Sequence, residues 1–229
     1  MRRRAQELRR RFSRLREFDH DFDPAAWSSG RLAGVDEAGV GPLAGPVVAA
    51  AVILPPDFEL PELYDSKQMR AAERARCERY IRENAVAVAT SRVSPLRIDR
   101  INILNAMLRA HRRALELLPV RPRSVLVDGH RQPVLPSGWR TRMCTVVRGD
   151  SLSLAIAAAS VVAKSTRDRI MERLDRRYPG YGFARHKGYA TRVHKEAVRR
   201  LGLTGAHRLS FCGWLQAEAE LARQTTLRL

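Results

Sequence analysis

Three short apolar runs in this chain each stop at an acid, and this pattern constrains the fold more than any other feature of the sequence. Leu32 to Val35 runs into Asp36-Glu37, Ser124 to Val127 into Asp128, and Thr141 to Val147 into Arg148-Gly149-Asp150. Runs of this length that end in turn residues read as strands. Adjacent residues of a strand point to opposite faces, so one of Asp36 and Glu37 must enter the core unless a bend or a ligand intervenes. If the three strands are neighbours, four carboxylates meet at one sheet edge. Two unit charges about 4 Å apart repel by roughly 4 kcal/mol at an effective dielectric near 20, so something positive must hold them. Hard oxygen donors without a His or Cys cluster favour Mg2+ or Mn2+ over zinc. Two such ions bridged by carboxylates clamp an in-line phosphoryl displacement. Each acid also has a plainer role open to it: Asp128-Gly129 is a common turn pair, and Asp150 can cap a helix.

The other elements follow from spacing. Residues 1–23 carry eight Arg, with Ala5, Leu8, Phe12 and Leu15 three or four apart. They predict an amphipathic basic helix that rests its Leu/Phe stripe on the body or meets nucleic acid. Trp27 to Arg31 reads as a linker. Val47 to Leu54 is a strand that would form a tight hairpin with the first, and Ala85 to Val93 is another. A helix capped by Asp65 or Ser66 is expected to run to Glu83, and a longer one from Ile98 to Leu118, ended by Pro119. Asp150 or Ser151 would cap the strongest helix, Leu152 to Arg177, its first half buried. Short helices are expected near residues 191–201 and 211–223. Five strands with several helices make an α/β or mixed-sheet fold. We divide it into a basic N-terminal extension (1–30), a catalytic domain (31–177) and a helical C-terminal substrate-binding region (178–229).

Lys and Arg outnumber Asp and Glu by 42 to 24, giving a formal charge of +18. Such a field attracts polyanions, nucleic acid first, although the scarcity of Lys leaves coding bias as the alternative. Cys77, Cys144 and Cys212 form no C-x-x-C pair, so neither a disulfide framework nor zinc is indicated and a reducing cytoplasm fits. No signal peptide is visible, and the longest apolar run is too short to cross a bilayer. The expectation is a soluble cytoplasmic monomer with no membrane partner.

Across residues 32 to 211 stand, in order, Gly34-Val35-Asp36-Glu37-Ala38-Gly39, Gly41-Pro42-Leu43-Ala44-Gly45-Pro46-Val47-Val48, Asp65-Ser66-Lys67, Val127-Asp128-Gly129 and Gly149-Asp150. Ile156-Ala157-Ala158-Ala159-Ser160, Ala163-Lys164, Thr166-Arg167-Asp168, Tyr181-Gly182-Phe183, His186-Lys187-Gly188-Tyr189, and His207-Arg208 with Ser210-Phe211 follow. In this combination the chain resembles ribonuclease HII, the type 2 ribonucleases H. The resemblance implies a ribonuclease H-like fold: a mixed five-stranded sheet flanked by helices, with a helical C-terminal extension. It also implies hydrolysis of the RNA strand of RNA/DNA hybrids, dependent on two divalent ions, Mg2+ or Mn2+. Duplex DNA would be nicked 5′ to an embedded ribonucleotide, leaving 3′-hydroxyl and 5′-phosphate ends. The family's catalytic metal ligands fall on Asp36, Glu37, Asp128 and Asp150.

The family reads the ribose 2′-hydroxyl with the backbone of a Gly-Arg-Gly turn and with a tyrosine, which Tyr189 matches. Here the turn is Gly39-Val40-Gly41. The flanking glycines still permit close backbone approach, but the missing guanidinium removes a phosphate contact worth about 1.5 to 3 kcal/mol. Lys67, His186, Lys187, His207 and Arg208 are further candidates for contact with nucleic acid. For Lys67 a solvated surface position is the alternative, and for the histidines a structural hydrogen bond. Lys164, Arg167 and Asp168 read as a structural ion-pair network, and the three Trp as packing residues. The tail Gln224-Thr225-Thr226-Leu227-Arg228-Leu229 is loosely similar to peptides that dock on bacterial sliding clamps, a frayed terminus being the alternative. Two rival functions remain: a resolvase-like DNA nuclease of the same fold, and a hybrid-binding protein without catalysis. A 2′-hydroxyl reader argues against the first, four retained acids against the second.

Overall fold

The computed structural model describes residues 2–63 and 69–215. Lys67, the expected cap at Asp65 or Ser66, and the tail from 224 lie outside the described residues. Strands β1 (Leu32–Ala38), β2 (Val47–Ile53), β3 (Ala87–Val93), β4 (Ser124–Asp128) and β5 (Arg142–Val146) form one sheet in the order β3-β2-β1-β4-β5. The pairs β1/β2 and β2/β3 are antiparallel, whereas β1/β4 and β4/β5 are parallel. The mixed five-stranded sheet expected from the resemblance is thus present. The link between β1 and β2 is the loop 39–46 rather than a tight turn.

The helices are α1 (Arg2–Phe22), α2 (Pro24–Ser28), α3 (Ala71–Asn84), α4 (Pro95–Ile101), α5 (Ile103–Glu116), α6 (Leu154–Arg177), α7 (Phe183–His186) and α8 (Arg192–Leu201). Strand β2, Val-Val-Ala-Ala-Ala-Val-Ile, is buried throughout because helices cover both faces of the sheet. On one face Leu32, Ala50, Val52 and Leu126 join the apolar first half of α6; on the other Ala33, Val35, Ala49 and Val127 join α5. Even-numbered residues of β1 therefore look toward α6 and odd-numbered ones toward α5. Gly34 lets β1 lie flush against α6, since a Cβ there would stand 2.1 Å from the backbone carbon of Ala155.

Several local features depart from the periodicity. The helix expected over 98–118 is two: Asn102 takes a left-handed φ of 61° and accepts the Asn105 N–H at 3.0 Å, capping α5 where α4 ends. The segment expected as a linker overlaps the end of α2, which Asp23 caps, and buries Trp27 in the core. Ser153, not Asp150 or Ser151, caps α6 by accepting the Ile156 N–H at 3.1 Å. Helix α1 does lie on the body through Phe12 and Leu15. Its Asp19 accepts the Ala155 N–H at 2.8 Å, at the positive end of α6, and burial pushes the Asp19 carboxyl up to about 7. Among the described residues no helix is long and apolar enough to cross a membrane.

Candidate active site

The parallel pairing of β1, β4 and β5 brings their carboxyl ends to one edge, with Val35 beside Val127 and Asp128 beside Val146. A cavity of about 260 Å3 opens there, lined by Asp36, Glu37 and Asp128 together with Ser160, Lys164, Arg167, Tyr189 and the turn from Gly39 to Gly41. The opposite facing of Asp36 and Glu37 is resolved by giving each carboxylate its own partner. Asp36, buried toward α6, is hydrogen-bonded by Ser160 and accepts the Glu37 N–H at 2.6 Å. Glu37, on the α5 side, meets His111 Nε2 at 2.8 Å. Asp128 accepts the Gly149 N–H at 2.6 Å. Asp150, next in the chain, is buried in a short 3-10 turn and does not line the cavity.

Burial first, then the charges of Glu37 and Asp128, hold the Asp36 carboxyl well above the usual carboxylate range; the Ser160 and Glu37 hydrogen bonds oppose the shift. Three acids thus share one low-dielectric space, with Lys164 and Arg167 also in its lining. Among the described residues, no three His, Cys, Asp or Glu side chains are grouped so as to hold a metal ion as they stand. Protein donors engage Asp36 Oδ1, Glu37 Oε2 and Asp128 Oδ1.

The turn Gly39-Val40-Gly41 is held from behind by buried Arg208, and the loop that follows it by buried Arg167. Arg208 donates to the carbonyls of Val40 (2.8 Å), Gly39 (2.5 Å) and Gly45 (3.0 and 2.9 Å). Arg167 donates to Pro46 (3.0 Å), Ala44 (3.0 Å) and Lys187 (2.9 Å). Burial lowers both guanidinium groups to about 10, which leaves them charged at neutral pH. Gly39 has a φ of 94°, and a Cβ on it would come within 2.0 Å of Arg167 Nε. Val40 packs against the α5-side core, and Gly41 faces Tyr189 across the opening, a Cβ there reaching within 3.9 Å of the ring. Tyr189 is half exposed.

Beneath Tyr189 lies a chain of neutral histidines. The Thr204 N–H donates to His207 Nδ1 at 3.0 Å, so His207 carries its hydrogen on Nε2 and donates to His194 Nε2 at 3.2 Å. His194 Nδ1–H then donates to the Tyr189 carbonyl at 2.8 Å. His186 donates to the Tyr181 carbonyl at 2.7 Å and stacks on His194. Burial, reinforced by His194, lowers His207 from 6.5 to about 4. Between pH 6.5 and 4 the unfolded chain takes up a proton that the folded chain refuses, so stability contributed by this ring falls as pH drops through that window. The full loss is about 3 kcal/mol. Urea unfolding at pH 7.5 and 4.5 should show a smaller acid loss in His207→Asn than in the wild type; equal losses would refute the assignment.

The sequence-predicted residues therefore divide. Asp36, Glu37, Asp128, Gly39, Val40, Gly41 and Tyr189 meet at one cavity, which Asp150 does not line. His186, His207 and Arg208 are turned into the protein, where they bond to neighbouring backbone and rings, Arg208 to the Gly39 and Val40 carbonyls, and Lys187 pairs with Glu172 at 3.0 Å. In the expected ion-pair network Asp168 does bind Lys164 (2.6 Å) and Arg74 (3.0 Å), but Arg167 binds carbonyls instead. Trp27 is buried, and Trp139 and Trp214 pack partly buried against the core clusters. Sequence reasoning missed His111, although a signal existed: it is the one polar side chain in the buried stripe Ala106, Ala110, Ala114, Leu115 of α5. It also missed Asp99, which accepts the N–H groups of Leu209 and Ser210 and so ties α4 to the C-terminal segment.

A family model described as ribonuclease HII matches residues 33–214. The ribonuclease HII of Dichelobacter nodosus is 51% identical over 180 residues, 79% of this chain and 93% of that protein. The crystal structure of the ribonuclease H2 from Pyrococcus horikoshii OT3 superposes with a TM-score of 0.65 at 25% identity, covering 78% of this chain and 92% of that one. Bst-RNase HIII in complex with Mn2+ shares the fold, with a TM-score of 0.68 at 20% identity over 86% of this chain and 72% of that one.

Proposed function

Since this chain belongs to the ribonuclease HII family and is by that membership a ribonuclease H hydrolase, we propose that it hydrolyses the RNA strand of RNA/DNA hybrids and nicks duplex DNA 5′ to an embedded ribonucleotide. The products would carry 3′-hydroxyl and 5′-phosphate ends. One observation carries this reading: three strand-end acids share a cavity with the glycine turn and Tyr189. A hydrolytic centre thereby stands beside groups suited to a 2′-hydroxyl.

The donor set fits divalent cations of the Mg2+ or Mn2+ kind. It consists of hard carboxylate oxygens, and the mutual repulsion that raises Asp36 is what a dication relieves. Asp36, Glu37, Asp128 and Asp150 would hold two such ions, whose chemistry is to activate the attacking water and stabilise the leaving oxygen. The chain's own groups do the rest. Peptide groups of the Gly39–Gly41 turn meet the 2′-hydroxyl, the Tyr189 ring packs on the sugar, and Lys164 supplies positive charge at the cavity wall. Beside the site, where the Val47–Val93 pairing brings the end of β3 to the same edge, a groove of about 510 Å3 is lined by Arg92, Arg97, Arg109 and Arg177. Such a groove attracts a phosphate backbone.

The test is incubation with a DNA duplex containing one ribonucleotide, in Mg2+, Mn2+ or chelator. Metal-dependent cutting on its 5′ side supports the proposal. Cutting of all-DNA branched substrate instead would establish the resolvase-like reading, and binding without cutting the silent one. A companion expectation concerns Val40. Val40→Arg should tighten binding of the ribonucleotide-containing duplex about tenfold, less than the full value of a charge-assisted phosphate contact because Val40 also packs on the core. An unchanged dissociation constant and rate would count against the role given to this position.

A further inference from the structure

We infer that His111 is a positioning residue that fixes the Glu37 carboxylate for cation binding, an inference that rests on the metal-dependent reading above. His111 is wholly buried on α5 among Ala106, Ala110, Ala114 and Leu115, and it does not line the cavity. Its Nε2 lies 2.8 Å from Glu37 Oε2, while its Nδ1 has no hydrogen-bond partner among the described residues. The ring therefore owes its place in an apolar stripe to one acid. Only the tautomer with its hydrogen on Nε2 suits the contact. The other would press a lone pair against the carboxylate and leave a buried N–H without an acceptor.

The geometry divides the work between the two oxygens of Glu37. Oε2 is anchored from behind by an imidazole that solvent cannot reach, and the carboxylate plane is set by a rigid helix rather than by the mobile side chain. Asp36 and Asp128 are anchored by backbone N–H groups, that of the next strand residue Glu37 and that of Gly149 in the turn after β5, at 2.6 Å each. Glu37 has a longer side chain and no backbone donor among the described residues, and a side chain from across the core supplies the equivalent restraint. Groups that hold metal ligands in this way typically contribute 10- to 100-fold in metal affinity.

The experiment is calorimetric titration of Mn2+ into the full chain for the wild type, His111→Leu, His111→Met and His111→Gln, with thermal unfolding of each. The Leu and Met variants should bind Mn2+ 10- to 100-fold more weakly at one site, and the metal concentration for half-maximal cleavage should rise in step. Gln places an amide N–H near the position of Nε2 and should stay within about threefold of wild type. A folded Leu or Met variant with unchanged Mn2+ affinity would overturn the inference. So would a Gln variant as weak as Leu, since the donor would then not matter. If the wild type itself takes up no Mn2+, it is the metal-dependent reading that fails.

Discussion

Asp128→Asn is expected to lower turnover by about three orders of magnitude or more while leaving duplex affinity within a few fold. Asp128 ends β4 at the edge shared with β1, and its Oδ1 already accepts the Gly149 N–H at 2.6 Å. The amide oxygen of Asn keeps that hydrogen bond, so the turn carrying Asp150 stays in place and the fold is undisturbed. What disappears is a negative charge beside Asp36 and Glu37. Substrate is attracted by arginines distributed over the surface, to which Asp128 adds nothing, whereas the charge acts where the transition state forms. A loss of three decades corresponds to about 4 kcal/mol, within the range a cation contributes to phosphoryl transfer. Single-turnover cleavage together with a binding isotherm measures both halves. A variant that cuts at near wild-type rate would remove Asp128 from the centre, and one that no longer binds duplex would show that the acid acts through structure.

Gly34→Ala should reduce stability by about 3 kcal/mol or more, an effect larger than a surface substitution produces. The added methyl would stand 2.1 Å from Ala155 C and 2.3 Å from Ala155 O and Ile156 N. These are backbone atoms of the buried start of α6, so no side-chain rotation relieves the overlap. The strand and the helix must separate, and overpacking of this kind reaches the upper end of its usual range. For a domain of this size the midpoint should fall by about 6 to 12 °C. Thermal unfolding decides it: a shift under 2 °C would mean that β1 and α6 have slack that the structure does not show.

The acids were legible because a strand end is a local event. An apolar run, an acid and a glycine lie within a few residues, and parallel neighbours turn three such ends into one edge. Asp36 and Glu37 were readable even as a problem, since alternation forces them to opposite faces. The solution was not readable. The partner of Glu37 comes from α5, 74 positions away, and a single His in a helical stripe carries no mark of what it touches. The break at Asn102 was hidden because Ile98, Ile101, Leu104 and Leu108 keep helical spacing across it, yet Leu104 proves exposed. The side chain that caps α5 outweighs that periodicity. Arg208, a candidate for contact with nucleic acid through the His207-Arg208 match, is instead buried. Only tertiary structure shows the carbonyls of Gly39, Val40 and Gly45 converging on it.

That convergence has a consequence for how the molecule can be divided. Two guanidinium groups, one from α6 and one from the segment after α8, grip the same stretch of backbone between Gly39 and Pro46 from two directions. Truncation ahead of residue 208 would keep Asp36, Glu37, Asp128 and Asp150 yet remove one of the two grips on the loop proposed to tell ribose from deoxyribose. On the proposed reading, discrimination and hydrolysis would depend on different lengths of chain, and a shortened protein is expected to fail first at telling its substrates apart.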